Sequence, residues 1–134
     1  MIEVNEITKS YGTHENRFQV LKGIITKIEN GDFIVFLGAS GSGKSTLLNI
    51  ISGLEQPDSG SVKYDGRDIT ELSDNELTAF HREKVGFIFQ QYYLLPNLTV
   101  EKNVRMGVDL AGNADYPDII KAVGLEEKRK KYPG

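Results

Sequence analysis

The stretch that decides the fold is Gly38-Ala39-Ser40-Gly41-Ser42-Gly43-Lys44-Ser45-Thr46. It fits the pattern G-x-x-x-x-G-K-[ST] at every fixed position, and that pattern is typical of loops that wrap backbone N–H groups around a polyphosphate. Such a wrap needs glycine wherever a Cβ would block the approach or forbid a positive φ. Gly38, Gly41 and Gly43 provide that room. The stretch therefore predicts a phosphate-binding loop.

The residues at the end of the loop have chemistry suited to the same ligand. The motif predicts that the Lys44 ammonium reaches the β- and γ-phosphates and that the Ser45 hydroxyl binds Mg²⁺. A helix that starts here also directs the positive end of its dipole at the anion.

The motif requires a strand before the loop and a helix after it, and both flanks agree. Residues 33–37 form a continuous apolar run, which predicts a strand buried on both faces of a parallel sheet. Downstream, helical spacing predicts an apolar stripe against the sheet, made of Leu47, Leu48, Ile50, Ile51 and Leu54. An ordinary Gly/Ser-rich connection is the alternative, but this order of elements favours the phosphate loop.

Composition limits the class of protein. At 134 residues, with 39% apolar and 26% charged residues, the chain has the length and composition of one globular domain. A net charge of −3 argues against nucleic-acid binding. The chain has no cysteine, which excludes disulfides and thiolate metal sites, and neither a signal peptide nor an apolar run of membrane-spanning length is present. We therefore expect a cytoplasmic location.

The remaining elements follow from short signals. Residues 2–7 and the apolar positions between 18 and 28 predict an antiparallel sheet, with hairpin turns at Asn30-Gly31 and Asp65-Gly66. Ser73 with Glu76 predicts a capping box, and residues 85–89 predict a second apolar strand.

The end of the chain is expected to be helical. Thr99 predicts a cap for a helix from about Val100, and a last helix is expected from Asp115 or Tyr116 to Gly124.

Several segments outside the loop follow one another along the chain in the order that is typical of one protein family. They are Thr8–Gly12 with its Tyr11, Ile50–Glu55, Pro57–Gly60, Phe87–Gln91 and Leu94–Val100. Taken in this order with the loop, they resemble the ATP-binding subunit of an ABC transporter over the whole chain. Within that family, the segment from Phe89 to Pro96 is most similar to bacterial exporters of the macrolide and lipoprotein-release type.

The resemblance implies an α/β fold of the P-loop NTPase type with an N-terminal antiparallel β subdomain and the start of a helical subdomain. Residues 1–134 would be the N-terminal part of one ATP-binding domain. Its antiparallel sheet and loop core would span about residues 1–90, and its glutamine loop and helical subdomain about residues 90–134.

The same resemblance implies the site. ATP and Mg²⁺ would be held by Tyr11, Gly38, Ser40, Gly41, Ser42, Gly43, Lys44, Ser45 and Thr46. Tyr11 would stack on adenine, Thr46 would contact the α-phosphate, and Gln90 would approach the metal and the attacking water. Lys44 and Gln90 would carry the catalytic roles. The residue types alone allow Tyr11 to be an ordinary packed or surface tyrosine, and Gln90 an ordinary polar residue at a strand end.

The family's pattern also includes features that this sequence lacks. There is no apolar strand ending in Asp-Glu and no Leu-Ser-Gly-Gly-Gln-like signature, and neither His14 nor His81 is placed as the family's switch histidine. We therefore expect the N-terminal part of a longer ATPase subunit, which binds Mg-ATP without hydrolysing it alone. The resemblance implies as partners a membrane permease and a second ATP-binding domain in a head-to-tail dimer. It places the protein at the inner face of the cell membrane.

Two other functions stay open on the sequence. Asp109-Leu110-Ala111-Gly112 fits the D-x-x-G pattern of a GTPase, although no Asn-Lys-x-Asp follows it. A non-catalytic nucleotide-binding fragment is the second alternative.

Overall fold

The computed structural model describes residues 1–13, 15–112 and 116–134. This part of the chain divides into two compact units, Met1–His81 and Arg82–Gly134. His14, which the sequence pattern does not place as a switch histidine, and Asp115, one of the two expected helix starts, lie outside the described residues.

The first unit is built on a four-stranded antiparallel sheet with strand order β2-β1-β3-β4. Its strands are β1 (Ile2–Tyr11), β2 (Phe18–Ile28), β3 (Ser59–Tyr64) and β4 (Arg67–Asp68). The predicted antiparallel sheet is confirmed, and β1 is longer than expected, because it continues to Tyr11. Of the two predicted hairpin turns, Asp65-Gly66 joins β3 to β4 with φ values of 49° and 84°, whereas Asn30-Gly31 follows β2 and leads into no strand in the described part of the chain.

Helix α1 (Lys44–Ile51) follows the loop, as predicted, and contributes to the core of this unit. Its residues Leu47, Ile50 and Ile51 are buried, together with Val4, Ile7 and Val62 of the sheet. The hydroxyl of Tyr64 on β3 donates to the carbonyl of Ile51 over 2.9 Å and joins the sheet to the helix. The predicted stripe was too wide, since Leu48 and Leu54 are 52% and 45% exposed.

The two predicted apolar strands at residues 33–37 and 85–89 do not form, and this part of the prediction was wrong. Neither segment belongs to a strand in the structure, and Phe33 and Leu37 are 91% and 89% exposed. A strand is stabilised by the neighbour to which it is hydrogen-bonded, and the ladders among the described residues include neither segment. The apolar composition was correctly recognised, but composition does not supply a partner strand.

Helix α2 (Asp74–Lys84) begins at the predicted pair Ser73 and Glu76, which forms the Glu76 half of a capping box. The Glu76 carboxylate accepts from the backbone N–H of Ser73 over 3.0 Å and from its hydroxyl over 2.8 Å. The carboxylate thereby satisfies a backbone donor at the helix start.

This cap has a consequence for pH. The hydrogen bonds from Ser73 lower the pKa of Glu76 below its ordinary value of 4.5. The contribution of the cap to stability is therefore present above that value and is lost as the pH falls through the lowered pKa of the folded state. We expect NMR titration of the Glu76 carboxyl carbon to give a midpoint below 4.5, and Ser73→Ala to move it upward. A midpoint unchanged by Ser73→Ala would contradict this assignment.

The second unit contains the helices α3 (Val100–Ala111) and α4 (Tyr116–Ala122) and a short 3₁₀ turn at Glu126–Lys128. Thr99 caps α3 as predicted, and its side chain accepts from the N–H of Lys102 over 3.3 Å. Helix α4 is followed by Gly124, whose φ of 71° suits a helix end. Both C-terminal helices are thus confirmed within the described residues.

Candidate functional site

The loop is shaped by glycines with left-handed backbone. Gly41 and Gly43 have φ values of 77° and 89°, a region that residues with a side chain rarely adopt. A Cβ on Gly43 would lie 2.7 Å from Cγ1 of Val20 and 3.0 Å from Cδ2 of Leu21. Close approach of the loop to β2 therefore also requires glycine at position 43.

The Lys44 side chain folds back over the loop. Its ammonium donates to the carbonyl of Gly38 over 2.9 Å, to the carbonyl of Ala39 over 2.6 Å and to the Ser42 hydroxyl over 3.3 Å. Gly38 and Ser42 thus contribute to the site by holding this ammonium. These bonds hold a cation against the loop, and its contact with the phosphates stays a prediction.

The start of α1 offers backbone donors at the same place. The N–H of Leu47 bonds the carbonyl of Gly43 over 2.8 Å, so the N–H groups of Lys44, Ser45 and Thr46 precede the first intrahelical bond. No described side chain caps this helix at Gly43. Free N–H groups and the positive end of the helix dipole favour an anion here.

A cleft of about 450 Å³ opens beside the loop. Its lining brings together the predicted residues Tyr11, Ser40, Gly41, Gly43, Lys44, Ser45 and Thr46, and adds Phe18 and Val20. From the sequence, Phe18 and Val20 are expected only as strand residues. Phe18 reaches the cleft because it pairs with Tyr11 across β1 and β2, which places the two rings 6.2 Å apart. The pairing of the two strands was the signal that could have identified it.

Tyr11 is held at the edge of this cleft by its hydroxyl. The hydroxyl donates to Oε1 of Glu55 over 2.5 Å and lies 3.3 Å from the Thr46 hydroxyl. The bond to Glu55 raises the pKa of Tyr11 above its ordinary value of 10.0. The ammonium of Lys9 lies 5.6 Å from the centre of the ring.

The donors at the loop fit a magnesium ion that arrives with a polyphosphate. Mg²⁺ takes oxygen ligands and usually keeps several waters and phosphate oxygens beside one or two protein groups. Ser45, in the first turn of α1, offers one hydroxyl at the cleft. Among the described residues, no group of three or more histidine and carboxylate side chains gathers to hold a metal by itself.

Gln90 lies in the second unit, in the irregular segment between α2 and α3, and its side chain is exposed. Its contact with metal and water stays a prediction. The D-x-x-G match lies at the end of α3, and residues 104–108 are inside that helix. The GTPase alternative needs a strand ahead of this motif, so the structure disfavours it.

The phosphate-binding loop, the start of α1 and the neighbouring Tyr11 together define a P-loop nucleotide-binding protein. Residues 21–134 match the ABC transporter family. The chain belongs to this family, whose ATP-binding subunits are ATPases in general.

Curated relatives with similar sequences include exporter components. The chain is 47% identical to a putative ABC transporter ATP-binding protein of Mycoplasma pneumoniae, over 99% of this chain and 30% of the relative. It is 40% identical to the bacitracin export ATP-binding protein BceA of Halalkalibacterium halodurans, over 99% of this chain and 55% of the relative. It is 41% identical to the lipoprotein-releasing system ATP-binding protein LolD of Geobacter metallireducens, over 100% of this chain and 62% of the relative.

The fold is similar to that of solved cassettes. A dimeric ATP-binding cassette, MJ0796, bound to ADP and Pi, matches with a TM-score of 0.86 and 35% identity over 99% of this chain and 62% of that chain. The predicted α/β class of the P-loop NTPase type is thereby confirmed. The chain spans 20% to 62% of the length of the curated relatives compared. No helix within the described ranges has both the length and the apolar character needed to cross a membrane.

Proposed function

We propose that this chain binds Mg-ATP as the ATP-binding part of an ABC transporter. The observation that carries the proposal is the Lys44 ammonium, held inside a glycine loop at the N-terminus of α1. That combination provides a cation and backbone donors for a polyphosphate in one place. The site comprises the loop residues from Gly38 to Thr46 together with Tyr11.

Each part of the site has its own task toward the ligand. Lys44 pairs with the β- and γ-phosphate oxygens, and the first N–H groups of α1 donate to the phosphates. Thr46 contacts the α-phosphate, and the Ser45 hydroxyl holds Mg²⁺. When bound, Mg²⁺ neutralises charge on the phosphate oxygens.

The base end of the cleft is aromatic. Tyr11 stacks on adenine, and Phe18, which is 59% exposed beside it, adds a second apolar surface. Gln90 approaches the metal and the attacking water in the assembled protein. In this proposal residues 1–134 form one part of an ATP-binding domain, with the sheet and loop core before about residue 90 and the glutamine loop and helical part after it.

The transport role is proposed from the relatives. Their names describe ATP-binding proteins of bacitracin export and lipoprotein release, and a related cassette is dimeric. We infer that the whole protein pairs two ATP-binding domains head to tail and couples ATP binding and hydrolysis to a membrane permease. Its place is the inner face of the cell membrane, where the permease holds it.

ATP turnover by residues 1–134 alone is expected to be negligible. No Asp-Glu pair follows an apolar strand in this sequence, so the carboxylates that support Mg²⁺ and polarise water in the family are not supplied. We expect isothermal titration calorimetry to detect Mg-ATP binding, while phosphate release stays at the level of a protein-free control. Robust hydrolysis that is lost in Lys44→Ala would contradict the division of roles proposed here.

Competition between ATP and GTP tests how selective the site is for the nucleotide base. A stacking platform has little selectivity, so GTP is expected to compete with ATP within about a factor of ten in Kd. A strong preference for GTP would favour the GTPase alternative and would contradict the proposed assignment.

A further inference from the structure

We propose that Glu55 is a positioning residue for the nucleotide base: its carboxylate fixes the Tyr11 hydroxyl and thereby orients the ring on which adenine stacks. The inference rests on the proposed function, because it assigns a residue to the base end of the same cleft. Neither the loop motif nor the family match gives Glu55 this role.

The contacts of Glu55 converge on the Tyr11 side chain. One oxygen, Oε1, accepts from the Tyr11 hydroxyl over 2.5 Å and lies 3.3 Å from the Lys9 ammonium. Lys9 in turn donates to the carbonyl of Gln56 over 2.7 Å and lies near the Tyr11 ring. The side chains of Lys9 and Glu55 are only 16% and 24% exposed, so this ion pair is partly sheltered from solvent.

The ring is thus restrained at two points. Its hydroxyl is held by Glu55 and lies beside Thr46, and its face is near the Lys9 ammonium. Thr46 belongs to the first turn of α1, where the phosphates are proposed to bind. A hydrogen bond to a charged group is stronger than one between neutral groups, so Glu55 is the stronger of the two hydroxyl partners. An orientation fixed before binding spares the ligand the cost of ordering the ring.

The segment that holds Glu55 has further contacts with β1, which Asp58 makes. Its Oδ2 accepts from the Ser10 N–H over 2.8 Å, and its own N–H donates to the Thr8 carbonyl over 2.9 Å. Arg17 also lies 3.5 Å from this carboxylate. Asp58 thus joins this segment to Thr8 and Ser10 of β1, and the hydrogen bond that the Tyr11 hydroxyl donates to Glu55 is the contact that fixes the ring.

The test separates the base from the phosphates. Calorimetry would compare Mg-ATP with Mg-tripolyphosphate, which has the phosphate chain but no base. We expect Glu55→Ala to raise the Kd of ATP about fivefold, less than the loss of a whole stacked ring, and to leave that of tripolyphosphate unchanged within about a factor of two. Glu55→Gln, which keeps an acceptor oxygen, should recover most of the affinity.

Tyr11→Phe supplies the second variant, since it keeps the ring and removes the hydroxyl. Tyr11→Phe should resemble Glu55→Ala, and the double variant should lose little more than either, because both changes break one interaction. Glu71→Gln, at an exposed carboxylate of the same unit, is the matched control and should change neither Kd.

Three results would overturn the positioning role. Equal weakening of ATP and tripolyphosphate would show that Glu55 supports the fold, and an unchanged Kd for ATP would show that it does nothing for the base. Additive effects of Glu55→Ala and Tyr11→Phe would show that they act separately. If the unmutated chain bound neither ligand, the proposed function would itself be wrong. If it bound Mg-ATP and Mg-tripolyphosphate equally well, phosphate binding would be supported and stacking of the base on Tyr11 would be refuted.

Discussion

Lys44→Ala is expected to abolish most of the affinity for Mg-ATP. The ammonium is the cation held at the centre of the loop, by two carbonyls and one hydroxyl. A hydrogen bond to a charged group contributes about 1.5–3 kcal/mol, so its loss should raise the Kd roughly 10- to 150-fold. Tripolyphosphate should lose affinity to the same extent, because the lysine acts on the phosphates. Calorimetry with both ligands measures the effect.

The control for this change is Lys121→Ala, which removes one positive charge from the exposed surface of α4 in the second unit. It should leave the Kd within about a factor of two, because the effect of a single exposed surface charge is screened by salt. The melting temperature of Lys44→Ala should stay near that of the unmutated chain. Equal weakening by both variants would mean that net charge, rather than the loop, governs binding.

Gly43→Ala is expected to damage both the fold of the first unit and the site. The left-handed backbone costs a residue with a Cβ about 1–2 kcal/mol, and forcing a methyl group into a packed contact costs about 1–3 kcal/mol more. A methyl group at position 43 would meet such a packed contact, because its Cβ would lie 2.7 Å from Cγ1 of Val20, and the neighbouring Leu21 is buried. We expect the free energy of unfolding, measured in urea, to fall by about 2–5 kcal/mol.

Gly41→Ala is the control that separates backbone strain from the steric clash expected at position 43. Gly41 has a φ of 77°, yet nothing lies within 4 Å of the position that its Cβ would take. It should therefore cost only the backbone term, about 1–2 kcal/mol. A Gly43→Ala variant no less stable than Gly41→Ala would refute the claim that β2 limits the room at position 43.

The parts of the fold that were predictable are those whose cause is local. The loop, the Asp65-Gly66 turn and the caps at Ser73 and Thr99 each depend on a few consecutive residues, and all are present in the structure. The strands expected at residues 33–37 and 85–89 depended on partners elsewhere, and apolar composition does not provide them.

The same distinction holds for the site. Lys44 and the start of α1 follow from the motif itself. Phe18 and Glu55 do not, because they reach Tyr11 through the pairing of β1 with β2 and through the segment after α1. Tyr11 was found through resemblance to a family, since a lone tyrosine gives no signal by itself. Contacts between distant segments are what the sequence pattern leaves out.

The bonds that Lys44 makes to the loop affect how heat measurements should be interpreted. Its ammonium already has two carbonyl acceptors and one hydroxyl acceptor before any ligand arrives. A phosphate that draws it away replaces existing bonds, so the enthalpy of binding is a difference between two sets of contacts. A small measured enthalpy would therefore be compatible with tight binding. The favourable part would then be entropic, because binding does not have to order a lysine side chain that is already held.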